Sequence, residues 1–123
     1  MMKALGEYLL SQGYKDVFID NHPEAKDSFI ALYCWENLPA SMHDGTGTRL
    51  IQVRVRRPTT KYAEAMRVCE QIATLLDSGE NERRIPLNHP GAVIGRIRRL
   101  PIVLERQEKN VTVYAEIALW GRL

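Results

Sequence analysis

Between Leu50 and Leu76 the chain changes its hydrophobic period once, and this limits the possible folds more than any other stretch. Ile51, Val53 and Val55 alternate with Gln52, Arg54 and Arg56, the period-two signature of a strand covered on one face only. Pro58 stops the ladder, because it has no N–H to give. Tyr62, Ala65/Met66, Cys69, Ile72/Ala73 and Leu76 then recur at helical spacing, which predicts a long amphipathic helix ending at Asp77-Ser78-Gly79. A threonine, Thr60 or Thr59, is the expected N-cap, and Glu64 lies in the first turn, where the helix dipole favours a carboxylate. The strand arginines are therefore expected to point away from the helix-packed face.

The rest of the chain supplies elements to pack against this unit. Leu5, Tyr8, Leu9 and Gln12 predict a short helix from Lys3 to Gln12, ended by Gly13 where a left-handed residue is wanted. Val17-Phe18-Ile19 reads as a short strand closed by the turn-forming Asp20-Asn21-His22-Pro23. Ser28 to Trp35 is too continuously apolar for an exposed edge and should be a central strand. Glu36 to Thr48, with Pro39, Gly45 and Gly47, reads as a loop, and Glu80 to Gly91 as a polar, turn-like connection. Ala92 to Leu100 and Val111 to Leu119 read as two strands joined through Pro101 to Asn110. In the last strand Val111, Val113, Ala115, Ile117 and Leu119 should face inward, and Thr112, Tyr114 and Glu116 outward. The expected fold is α+β (mixed α/β): a four- to five-stranded mixed or antiparallel sheet with two helices on one face.

With 123 residues, 45% of them hydrophobic, the chain fits one domain over 1–123 with one core. No apolar run approaches the ~20 residues of a membrane span, and Met1 to Glu7 has no signal-peptide profile, so no membrane role is expected. A reducing cytosol is the expected compartment, with Cys34 in an apolar strand and Cys69 on the buried helix stripe as small core residues rather than a disulfide.

Catalytic or metal chemistry finds no support in residue spacing. His22, His43 and His89 fall in predicted loops, without HExxH, Cys–His spacing or a Gly-rich phosphate loop beside them. Glu105 and Glu108 flank a hairpin connection, and Asp16, Asp20, Glu24 and Asp27 are scattered. No enzyme, cofactor or metal site is expected; a deep pocket bringing His22 or His89 beside an acid would be needed to favour one.

Charge is the one unusual feature. Net charge is +2, but residues 1–48 hold three Lys/Arg against seven Asp/Glu, while residues 49–123 hold fourteen against eight. Arg49, Arg54, Arg56, Arg57, Arg96, Arg98 and Arg99 all lie on or beside two strands. They could pair with Glu116 and other neighbours across their own sheet. They could instead bind nucleic acid, although only Tyr114 is expected to face outward as a stacking aromatic. Or they could form a protein interface that forks onto the carboxylates of a neighbour's acidic half.

The order FIALYCW, a loop, LIQVRVRRPTTKYAEAMRVCEQIATLLDS, then IGRIRRLPIVLERQEKNVTVYAEIALW resembles the bacteriophage tail terminator or minor capsid family of long-tailed phages. Members of that family share an apolar IAL-type strand, a QVRVR strand, a helix with tyrosine and alanine near its start, and a last strand after a polar hairpin. The likeness covers about residues 5–120 and is most specific at Ile51 to Arg57 with Tyr62-Ala63-Glu64-Ala65. Trp35-Glu36-Asn37-Leu38-Pro39 and Arg106-Gln107-Glu108-Lys109-Asn110 depart from the glycine-rich turn and Asp/Gly/Arg hairpin common in the family, so the tips that touch neighbours are expected to differ.

The resemblance implies a structural role. About six copies would form a homo-oligomeric ring, a hexamer, on the head-proximal end of the tail tube, built from head-to-tail contacts. The ring would stop tube polymerisation and offer a surface to the head-completion or connector protein. Genome DNA would pass through it without sequence-specific binding. The location would be the head–tail junction of the virion, and the host cytoplasm during assembly. The subunit or tube interface is then expected at Arg54, Arg56, Arg57, Arg96, Arg98 and Arg99, with Tyr114 and Glu116 beside them. Another neck-ring protein, or a small basic nucleic-acid-binding module, is the alternative.

Overall fold

A computed structural model describes residues 1–22, 26–38 and 46–122. Pro23, Glu24, Pro39, His43 and Gly45, which figure in the loops predicted above, lie outside the described residues. The elements run α1 (Met2–Ser11), β1 (Val17–Ile19), β2 (Phe29–Leu38), β3 (Thr46–Pro58), a 3-10 turn (Thr59–Lys61), α2 (Tyr62–Leu76), β4 (Val93–Arg106) and β5 (Asn110–Arg122). The five strands form one sheet in the order β1-β2-β3-β5-β4. β1 is parallel to β2 and every other pair is antiparallel, so the sheet is mixed, as the element pattern predicts.

Both helices cover the same face. Ile30 lies opposite Val55, Leu32 opposite Val53, and Val55 opposite Val113, which sets all of these side chains on one side of the pleat. They join Leu5 and Leu9 of α1 and Ala65, Val68, Cys69, Ile72, Ala73 and Leu76 of α2 in one core. Val68 belongs to the buried stripe, whereas Tyr62, placed there by its spacing, is exposed. The five inward residues predicted for the last strand are fully buried.

Three boundaries differ from the sequence expectation. Strand pairing runs through Leu38 and resumes at Thr46, so the predicted loop Glu36 to Thr48 is strand at both ends. The segment Pro101 to Arg106 continues β4 instead of joining two strands; proline is tolerated because β4 is an edge strand whose outward N–H groups need no partner. Register shifts after Ile97, Arg99 and Val103 bend this outer half. Finally, no threonine caps α2. Its N-cap is Lys61, without a side-chain bond, while Thr59 donates its hydroxyl to the carbonyls of Gln107 (3.3 Å) and Glu108 (3.2 Å) and its N–H to Lys109 O (3.1 Å). The tight β4–β5 turn leaves those carbonyls without ladder partners, and they claim the threonine.

The end of α2 is stitched to the first half of β4. Asp77 Oδ1 accepts the Ile97 N–H (3.1 Å), Ser78 Oγ accepts the Gly95 N–H (2.9 Å), the Ser78 N–H donates to Gly95 O (2.8 Å), and the Ile85 N–H donates to Val93 O (2.9 Å). These bonds close the outer edge of the sheet from Val93 to Ile97. The approach needs a glycine, since a Cβ at position 95 would lie 2.0 Å from Leu76 O.

Gly95→Ala should therefore force α2 and β4 apart. A loss of roughly 1–3 kcal/mol is expected, read as a lower urea midpoint at unchanged slope. In the core, burial pushes the Cys69 thiol up to about 12, with its Sγ 3.5 Å from Val53 O. Alkylation at about pH 8 should modify the half-buried Cys34 and leave Cys69 untouched until the protein is unfolded.

Candidate interface on the open sheet face and the β4 edge

The face of the sheet away from the helices carries Phe29, Ala31 and Tyr33 of β2, Leu50, Gln52, Arg54 and Arg56 of β3, and Thr112, Tyr114, Glu116, Ala118 and Trp120 of β5. Their rows follow from the register: Phe29–Arg56–Thr112, Ala31–Arg54–Tyr114 and Tyr33–Gln52–Glu116. Phe29 is fully buried even here. The His22 ring stacks on it at 4.5 Å between centroids, Phe18 meets it edge-on at 6.5 Å, and the Arg56 guanidinium lies 4.8 Å from its centroid.

Arg56 is 4% exposed and donates from Nε to Thr112 Oγ1 (2.8 Å), itself 2% exposed. Arg54 lies 4.1 Å from the Tyr33 centroid and donates twice to Gln52 Oε1 (3.1 and 2.9 Å). His22 Nδ1 hydrogen-bonds the Tyr33 hydroxyl. Two of the eight residues expected at an interface thus hold their own sheet face together. A third, Arg57, points to the helix side, where Nε lies 3.9 Å from Glu64 and Nη1 donates to Arg56 O (2.8 Å) and Phe29 O (3.4 Å). The expectation that Tyr114 would be the one outward aromatic also changes, since Phe29, Tyr33 and Trp120 share its face. Arg49 lies opposite Leu119, on the helix side.

Arg96, Arg98 and Arg99 differ in kind. All three are exposed on β4. Arg96 reaches Glu82 (3.6 Å) and Arg99 reaches Glu116 (3.8 Å), each with its own side chain 51% exposed; such pairs contribute little and remain available to others. Among the described residues Arg98 has no ion pair.

Just beyond these arginines lie residues that the sequence reading missed. Leu100 is 59% exposed, and Ile102, Val103 and Leu104 are 40%, 39% and 41% exposed. Among the described residues, no hydrogen bond closes the outer edge of β4 past Ile97. An exposed edge carrying large apolar side chains is the kind of surface that proteins normally shorten, charge or cover. The signal was present as LPIVL at 100–104, but its proline marks a turn as readily as an edge strand.

A cleft of ≈ 390 Å³ brings His22, Arg56, Glu105 and Gln107 together. It supplies a histidine and an acid but no serine, cysteine or lysine nucleophile among its described lining residues, so it can hold a polar group without the constellation for covalent chemistry. The described residues contain no cluster of three or more metal-ligating side chains, and no helix is long and apolar enough to cross a membrane. His43 lies outside the described residues.

Replacing Arg56 by methionine should cost roughly 1–3 kcal/mol, because Thr112 loses a buried charged donor. Arg98→Met should change stability by less than about 0.5 kcal/mol. Urea unfolding of the two variants checks the division between structural and free arginines, and equal losses would erase it.

The model of a family described as bacteriophage tail terminator protein matches residues 2–117. A solved structure resembles the chain with a TM-score of 0.59 at 14% sequence identity, covering 98% of this chain and 89% of the other. At that identity the likeness is one of fold. No curated protein matches.

Proposed function

Because the chain belongs to the bacteriophage tail terminator family, and so is a structural component of the phage tail, we propose that it forms a ring that caps the tail tube. The ring ends tube polymerisation and presents the surface on which the head is joined. It is a homo-oligomer, a hexamer in this reading, contacting the tube protein on one side and the head-completion or connector protein on the other. It sits at the head–tail junction, and genome DNA passes through it without sequence-specific contacts.

The observation that carries this reading is the bare outer half of β4. Arg98 and Leu100 to Leu104 put charge and apolar surface side by side on one accessible strand, the mixture found at protein interfaces, where arginine and large apolar groups are enriched. Arg96 and Arg99 extend it, with Tyr114 and Glu116 adjacent in register to Ile102 and Arg99. Arg54, Arg56 and Arg57 lie off this strand and are bonded within the subunit.

A conduit for DNA is ill served by arginines lining its bore. Each phosphate contact adds to a salt-sensitive affinity, with a slope near −0.9 per contact. On the open face, Arg54 already occupies the Tyr33 ring, and His22 and Arg56 occupy Phe29, so these rings are not open to stacking bases.

The double variant Arg98→Glu, Arg99→Glu tests the proposal without touching the buried Arg56. It should remain folded, fail to cap tubes, and leave tails of uncontrolled length in electron micrographs. Normal tails from that variant would reject the arginine interface, and protein that retards DNA at ~0.15 M salt without oligomerising or binding tubes would favour a nucleic-acid role.

A further inference from the structure

Two exposed apolar surfaces lie at opposite ends of the strand order. One is the outer half of β4, from Leu100 to Leu104. The other is a groove of ≈ 360 Å³ between α1 and β1, lined by Lys3, Gly6, Glu7, Leu10, Val17 and Ile19. Leu10 is 53% exposed at its lip. The groove owes its shape to Gly6, where a Cβ would stand 3.1 Å from Ile19 Cδ1; without that atom α1 settles close against β1.

Resting on the ring reading, we propose that Leu100 to Leu104 of one subunit seats in the α1–β1 groove of the next copy of this chain. At ≈ 360 Å³ the groove falls at the lower end of the range of ligand-binding clefts, about 300–1,000 Å³. The charges are complementary: Arg98 and Arg99 precede the apolar row and Glu105 follows it, while Glu7 and Lys3 stand one helical turn apart on the groove wall. A helical turn is about 6 Å and the row from Arg99 to Glu105 about 20 Å, so the match is made at one end, where Glu7 on the groove wall faces Arg98 and Arg99. Pro101 and the register shifts around it prevent β4 from extending a regular ladder into a neighbour, so the contact is made through side chains.

The two patches differ from each other and lie at opposite edges of one sheet, β1 and β4. A single subunit cannot bring them together, and two subunits joined by them still leave one of each free. Such heterologous contacts close into rings when the rotation between subunits allows. A tube protein or connector would need complementary surfaces of its own, whereas this chain carries both halves.

The test uses Leu10→Asp and Leu104→Asp, both at exposed positions and each expected to melt like the wild type. Each variant alone should sediment as a monomer while the wild type forms rings. An equimolar mixture should give a dimer of twice the monomer mass, because one intact groove and one intact edge remain between the two chains. Rings from either single variant, or a mixture that stays monomeric, would overturn the pairing. Wild type that caps tubes alongside a Leu10→Asp variant that caps them equally well would sink this inference alone; wild type that neither oligomerises nor caps tubes would sink the ring reading with it.

Discussion

Two helices cover one face of a five-stranded sheet, and everything distinctive about this molecule follows from the face they leave bare. α2 packs on β3, β5 and β4, and α1 on β1 and β2, in a single core. Among the described residues, no layer of secondary structure lies above the other face. It is roofed by its own side chains instead: His22 and Phe18 over Phe29, Arg56 between Phe29 and Thr112, Arg54 on Tyr33. Cation–π contacts of this kind contribute ~0.5–2 kcal/mol each, and the planar guanidinium both stacks on a ring and donates in its plane. Arginine suits this roof because its flat charged group lies over the aromatic beneath it while Thr112 or Gln52 accepts its N–H groups.

The same economy governs the sheet edge. Asp77, Ser78 and Ile85 satisfy the outward backbone groups of β4 only as far as Ile97, because α2 ends there and, among the described residues, no further element runs along the outer side of the strand. From Arg98 onward the strand stands free, with Leu100 and Ile102 to Leu104 exposed. For a structural protein of the phage tail, a half-covered edge is a reasonable division of labour. The covered part fixes the strand in place, and the free part, paired with β5 on its inner side, offers its outer side to a partner.

The main elements were legible in the sequence because each rests on local periodicity. The alternation of Ile51, Val53 and Val55, the helical spacing from Ala65 to Leu76, and the clean inward row from Val111 to Leu119 all appear as predicted. The errors fall where a distant group competes with a local preference. Thr59 has the chemistry of a helix cap, yet it serves the hairpin carbonyls of residues 107–109, far away in sequence. Pro101 has the chemistry of a turn, yet an edge position lets it remain in a strand. The open face holds more aromatic surface than expected, since β2 is continuously apolar and the side taken by each of its residues depends on its register with β3.

What the sequence by itself determined was the set of elements, the helix-facing residues and the family, since these depend on spacing along the chain and on recognisable segments. Which arginines are structural and which are free was decided by the tertiary structure alone. Arg56 and Arg98 sit in equally basic, equally strand-like stretches. One is buried because pairing of β2, β3 and β5 sets Phe29 and Thr112 on either side of it, and the other is exposed because, among the described residues, β4 is the last strand of the sheet. Strand order is a long-range property, fixed by the packing of the whole core, and no local pattern around an arginine encodes it.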